Sequence, residues 1–261
     1  MPGTPKELDL EKYIVSDLTS QPIVKINGEV LVAADGTTQY EYRQLHNSDY
    51  DKALCFCPKE VVAFLKDSQT EEWDKMVNAT GSEDAAIKSL CSRLDTELKH
   101  GTLDVLKSKN GISAGYGATF QMVYWQPASI LNAEHEQFYL KNRIAVMRQF
   151  KYSEKDPSLA IDLAIFVNGL PVATVELKNA LTGQNHENAI RQYMTTRSIK
   201  GEKALEFGRI LVHFACGTEQ VYMTTQLSGE KTRFFPFNRF LENKWPEGVA
   251  DESSAIRTDY L

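Results

Sequence analysis

Three charged residues interrupt an otherwise apolar run: Asp162, Glu176 and Lys178 in IDLAIFVNGLPVATVELK, residues 161–178. Charges are rarely left inside a sheet unless they are paired or bound to a metal. Two carboxylates and an ammonium meeting at one place make a small, hard, oxygen-lined site. That chemistry suits Mg²⁺, which takes one or two carboxylates and fills its shell with water and phosphate oxygens. An amine beside such a cation can orient or deprotonate an attacking water, or offset charge on a pentavalent phosphate. The same trio can equally be a structural ion pair, and the pattern alone leaves both open. The Glu-x-Lys spacing is uninformative by itself, since Glu97–Lys99 and Glu242–Lys244 share it in polar stretches. Only Glu176–Lys178 ends a buried-looking strand with an acid waiting on its partner strand.

The element that must position these groups is a hairpin. IDLAIFV and PVATVELK are apolar and β-branched, and NGL between them is turn chemistry. Both strands are apolar on both faces, which places the hairpin in the middle of a covered sheet. Side chains repeat every second residue along a strand, so register decides whether the acids meet. A two-residue loop would put Asp162 and Glu176 on opposite faces. A three-residue loop at 168–170 sets them opposite each other, with Lys178 on the same face. The acids therefore predict an odd-length loop or a bulge, at Gly169.

The flanking elements follow from periodicity and punctuation. Residues 6–18 carry a helical stripe at Leu10, Tyr13, Ile14 and Leu18, with Glu7 on the solvated side and Glu11 able to point inward. Residues 20–57 look β-like and broken. Pro58 opens the first of three helices, the others starting near Thr70 and Ser82, and Gly101 ends the third. This 58–100 block reads as a helical lobe with Trp73 and Leu94 in its core. The glycine-rich 109–119 lacks the Gly-Lys-Ser/Thr of a phosphate loop and reads as a turn. FQMVYW (120–125) predicts a strand, 132–140 a helix and 142–153 a strand whose Arg143 and Arg148 are surface residues. After the hairpin, Thr182 or Asn185 caps a helix running to about Arg197, with Ala189, Gln192, Tyr193 and Thr196 on one side. Arg191 and Arg197 are the nearest guanidinium groups, and arginine forks fit phosphates; pairing with Glu187 or a solvated helix end are the plainer alternatives. Strands at 209–217 and 220–227 and a closing segment at 231–238 complete the order. From Arg239 the chain turns polar, as in a linker.

Composition excludes some classes. The 261 residues carry a net charge of −6, so a nucleic-acid partner must be held by a local basic face. Cys55, Cys57, Cys91 and Cys216 have no zinc spacing and read as reduced thiols of a cytoplasmic protein. No apolar run is long enough to span a membrane.

The order helix, strand, hairpin with Asp and Glu-x-Lys, helix, strand resembles the PD-(D/E)xK nuclease superfamily. Several stretches narrow the match: YEYRQLHNSDYDKALCF (40–56), GTLDVLK (101–107), NRIAVMRQFKYS (142–153), DLAIFVNGLPVATVELKNALTGQ (162–184), RILVHFA (209–215) and MTTQLSGEKTRFFPFN (223–238). They resemble the N-terminal endonuclease domain of type I restriction enzyme R subunits. The resemblance implies an α/β, restriction-endonuclease-like fold, a mixed central sheet flanked by helices with the helical lobe inserted near the N-terminus, over 1–240, with 241–261 a linker toward an absent ATP-dependent translocase. It implies Asp162 and Glu176 as Mg²⁺ ligands, Lys178 as the catalytic lysine, the Leu177 carbonyl as a further ligand and Glu11 as the acid of the first helix. It implies double-stranded DNA as substrate, with modification and specificity subunits as partners. ATP would enter only through the absent motor, since no Walker A motif is present. The family's Gln-x-x-x-Tyr motif is altered here: Gln192 and Tyr193 are adjacent, so they point about 100° apart. Both are carried as DNA-side candidates with Arg191 and Arg197. Rival expectations are a non-catalytic docking domain and a repair exonuclease of the same superfamily.

Overall fold

Asn168 and Gly169 both adopt positive φ, at 50° and 85°, which is the backbone of a two-residue type I′ hairpin turn. Asparagine tolerates that conformation and glycine is free of it, so the turn is written in the sequence. A computed structural model describes residues 7–22, 30, 41–127, 133–179 and 183–238. Residues 1–5, most of 23–40, Thr182, the 241–261 linker and the Glu7 side chain lie outside the described residues.

The chain runs α1 (Glu7–Ser20), β1 (Tyr42–Leu45), α2 (Pro58–Ser68), α3 (Thr70–Thr80), α4 (Glu83–Glu97) and α5 (Thr102–Lys107). It continues with β2 (Ile112–Gly115), β3 (Ala118–Phe120), α6 (Ala133–Leu140), β4 (Ile144–Phe150), β5 (Ile161–Val167) and β6 (Leu170–Leu177). Then come α7 (His186–Thr195), β7 (Val212–Cys216), β8 (Val221–Thr224) and β9 (Phe235–Pro236). Seven strands form one sheet in the order β1-β4-β5-β6-β7-β8-β9, and β2 pairs β3 apart from it. β1 runs parallel to β4 and β6 parallel to β7, while the other neighbours are antiparallel. The sheet is mixed, helices flank it, and the β5–β6 hairpin is central, as the sequence predicts. The arrangement is compatible with a restriction-endonuclease-like fold.

Alternation along the strands divides the sheet's side chains between two layers. Ala145, Met147, Ala164, Phe166 and Ala215 pack with Ala189 and Tyr193 of α7. Val146, Leu163, Leu177 and Cys216 pack with Val15 of α1. A third cluster is the core of the helical lobe: Phe64, Trp73, Leu90 and Leu94 close over Ile112, Phe120 and Leu170. Full burial of such side chains stabilises by about 1.5–3 kcal/mol each. Leu170 belongs to this lobe cluster although it begins β6, so the hairpin's turn end is embedded in the lobe.

Several expectations are corrected. Within 20–57 the only named strand among the described residues is β1. Gly101 does not close the helical block; at φ 119° it links α4 to the further helix α5. FQMVYW keeps only its first residue in a strand. The Gln69 side chain meets the Gln121 amide and carbonyl at 2.7 and 2.9 Å, and Asn142 does the same for Tyr124 at 3.1 and 2.6 Å. Side-chain amides thus replace a partner strand there. Arg143 is not a surface residue: its Nε donates to Glu60 at 2.9 Å.

Candidate active site

The hairpin reaches the required register by a bulge rather than a longer loop. Beyond the turn, Val167 pairs with Leu170 and Phe166 with Pro171, but Ile165 pairs with Ala173. Val172 is therefore the extra residue, three positions past Gly169, where the sequence placed the irregularity. Downstream, Ala164 faces Thr174 and Leu163 faces Val175, so one further step sets Asp162 opposite Glu176. The Leu177 amide donates to Asp162 Oδ2 at 2.7 Å and ties the two strand ends together.

Glu176 is wholly buried, with Asp162 and Lys178 nearly so. Arg197, just past the end of α7, donates from Nε to Glu176 Oε1 at 2.7 Å. The other oxygen, Oε2, is buried without a hydrogen-bond partner among the described residues. Burial, and then the charge of Asp162, push the Glu176 carboxyl up to about 8, against the opposing pull of Arg197 and Lys178. Beneath it, Thr174 joins the Tyr193 hydroxyl at 2.9 Å and His213 Nδ1 at 2.7 Å. This chain fixes the strand face on which Glu176 stands.

A third acid arrives from α1. Glu11 is 1% exposed, and burial followed by the charge of Asp162 raises its carboxyl. Gln149 Nε2 donates to Glu11 Oε1 at 2.8 Å and Arg148 Nη2 to Oε2 at 3.4 Å, so Arg148 is not a free surface cation. Gln149 has φ 49°, one residue before the end of β4. The ladder pairs Arg148 with Leu163 and Phe150 with Ile161, which leaves Gln149 opposite Asp162. A left-handed residue of this kind inside a strand is strained, and here the strain turns its amide onto Glu11.

The residues expected on the DNA side are dispersed. Tyr193 is fully buried against the sheet and is a core residue. Gln192 is half-buried. Arg191 is exposed on the far side of α7, where it lines a shallow groove with Glu187, Ile190 and Glu230. Arg197 is turned inward onto Glu176 and presents no fork to solvent. Sequence reasoning did not reach Arg148 and Gln149 as site residues, because their bonds to Glu11 span 137 and 138 positions.

The family model of the type I restriction enzyme R protein N terminus matches residues 104–232. That stretch of the chain is similar to this family. No curated protein matches the chain. The matched stretch holds Asp162, Glu176, Leu177, Lys178, Gln192, Tyr193, Arg191 and Arg197, whereas Glu11 lies ahead of it. Among the described residues, no three or more His, Cys, Asp or Glu side chains are grouped to hold a metal. Mg²⁺ does not need such a group. Two carboxylates facing each other across a strand pair, one with an orphaned buried oxygen, suit a hard cation that brings its own water.

Proposed function

We propose that this chain is the metal-dependent endonuclease domain of a type I restriction enzyme R subunit, hydrolysing phosphodiester bonds of double-stranded foreign DNA. The observation that carries this reading is the pairing of Asp162 with Glu176, whose Oε2 is buried without a hydrogen bond. Asp162, Glu176 and the Leu177 carbonyl would hold Mg²⁺, with Glu11 as a further acid behind them. When bound, the cation polarises a phosphoryl oxygen and lowers the pKa of a bound water. Lys178 orients the attacking water or offsets charge on the phosphate. The Thr174, Tyr193 and His213 chain keeps the face rigid, and Arg148 and Gln149 restrain Glu11. Modification and specificity subunits would be partners, with sequence read elsewhere than in this chain.

The test pairs calorimetric titration of Mn²⁺ and Mg²⁺ with nicking of closed circular DNA. Asp162→Ala should stay folded and lose metal, and Lys178→Ala should keep metal while nicking falls by about a hundredfold or more. Wild-type protein that takes up neither cation sinks the reading. A second reading, a non-catalytic docking domain, is favoured by the buried Arg197–Glu176 pair itself. Under it, Asp162→Ala leaves metal titrations blank in both proteins, and breaking the pair costs about 3–5 kcal/mol of stability.

A further inference from the structure

Buried carboxylates that bind a cation are themselves held by hydrogen bonds, because an unrestrained ligand must be ordered each time the cation enters. Glu176 shows such an arrangement in asymmetric form. Its Oε1 accepts from Arg197 Nε at 2.7 Å, while Oε2 is buried and unpartnered on the same carboxylate. The side chain of Arg197 is only 9% exposed. Its backbone is fixed as well: the amides of Thr196 and Arg197 both donate to the Gln192 carbonyl, at 3.0 and 3.1 Å, where α7 ends. The guanidinium is therefore delivered by the end of a helix whose Ala189 and Tyr193 are locked into the sheet core. A guanidinium fork can engage both oxygens of a carboxylate with two parallel bonds, and Arg197 makes only one of them, from Nε to Oε1. Here one oxygen is held, and the other is buried without a hydrogen-bond donor among the described residues.

We propose that Arg197 is a positioning residue for the metal site: by holding Oε1 of Glu176 it aims Oε2 at the cation position shared with Asp162. This rests on the endonuclease reading above. Arg197 touches neither cation nor DNA; it acts through Glu176. The rival arrangement is a latch, in which the guanidinium occupies the cation's place and must leave before metal enters.

The experiment is titration of Mn²⁺ into the metal-free protein, wild type against Arg197→Met, Arg197→Lys, Glu176→Gln and the Glu176→Gln/Arg197→Met double variant, with thermal melts to confirm folding. Arg197→Met should weaken Mn²⁺ binding by about ten- to a hundredfold, the range expected when a partner of a metal ligand is removed. Arg197→Lys, which can still donate one hydrogen bond to Oε1, should recover part of that loss and guards against a Met variant that fails to fold. In the Glu176→Gln background, removing Arg197 should have no further effect, because the residue acts only through that carboxylate. Unchanged or tighter binding by Arg197→Met, or by Arg197→Lys if the Met variant does not fold, overturns the proposal and leaves the endonuclease reading standing. An equal loss in the Glu176→Gln background also overturns it. Wild-type protein that binds no Mn²⁺ overturns both.

Discussion

Glu176 makes this site sensitive to pH in a direction opposite to most carboxylates. Its folded pKa, pushed up by burial and by Asp162, is about 8, against an ordinary value of 4.5. The folded chain therefore binds a proton that the unfolded chain has lost across that interval. The stability this contributes is full below 4.5 and disappears as pH rises through about 8. His213 acts on the other side. Burial lowers it from 6.5 to about 4, so its contribution is present above 6.5 and is lost as pH falls toward 4. The two effects oppose each other below 6.5, which leaves pH 6.5–8 as the window free of His213. In metal-free protein, urea melts should show stability declining across that window, and Glu176→Gln, neutral throughout, should be flat there. A wild-type profile that is level or rises from 6.5 to 8 would show that Glu176 is ionised throughout.

At the scale of elements, the hairpin shows what a sequence does and does not disclose. That Asp162 and Glu176 share a face was legible, because alternation and two buried charges leave few registers open. That NGL would turn was legible too, from Asn168 and Gly169. The position of the irregularity was not read, although Pro171 has no amide to give the ladder and so marks its neighbourhood; the Leu211 amide reaching the Val172 carbonyl at 3.1 Å comes from the residue just ahead of β7. Helices α2, α3 and α4 were readable from Pro58, Thr70 and Ser82, whose hydroxyl accepts from Ala85 at 3.2 Å. FQMVYW misled because Gln69 and Asn142 supply the bonds of an absent strand. Of the site, the hairpin's own trio was visible, whereas Arg197's inward turn depends on where α7 ends. Because Val172 is the extra residue, deleting it should close the bulge and still leave Asp162 opposite the acid of β6. We expect the deletion variant to fold and to retain Mn²⁺ uptake in calorimetry, with some loss of stability. Loss of uptake in a folded deletion variant would mean that the bulge itself shapes the site.

Across the whole molecule, two sheet layers and a helical lobe are joined at several places. Glu60 of α2 takes Arg143 at 2.9 Å and Arg43 at 3.8 Å, and Asp95 of α4 takes Lys203 at 2.6 Å and Arg209 at 3.3 Å. No helix among the described residues is long and apolar enough to cross a membrane. The deepest joint is the hairpin turn. The Cys57 amide donates to the Gly169 carbonyl at 2.8 Å, and a Cβ on Gly169 would meet the Cys57 carbonyl at 2.7 Å. Buried Asn168 donates to the Met122 carbonyl and to Asn142, each at 2.9 Å, and accepts from the Arg143 amide at 2.7 Å. The lobe is thus wedged onto the strand pair that carries the acids, and heat should not release it first. Calorimetry should give one transition whose van't Hoff and calorimetric enthalpies agree. Asn168→Ala, which strands buried polar groups and forces alanine into positive φ, should lower stability by about 2–3 kcal/mol without splitting that transition. Two separate transitions in wild-type protein would show that the lobe melts independently. A cooperative unit of this kind has a further meaning: a partner that grips the distant lobe also restrains the turn, and through it the stiffness of the strands that hold Asp162 and Glu176.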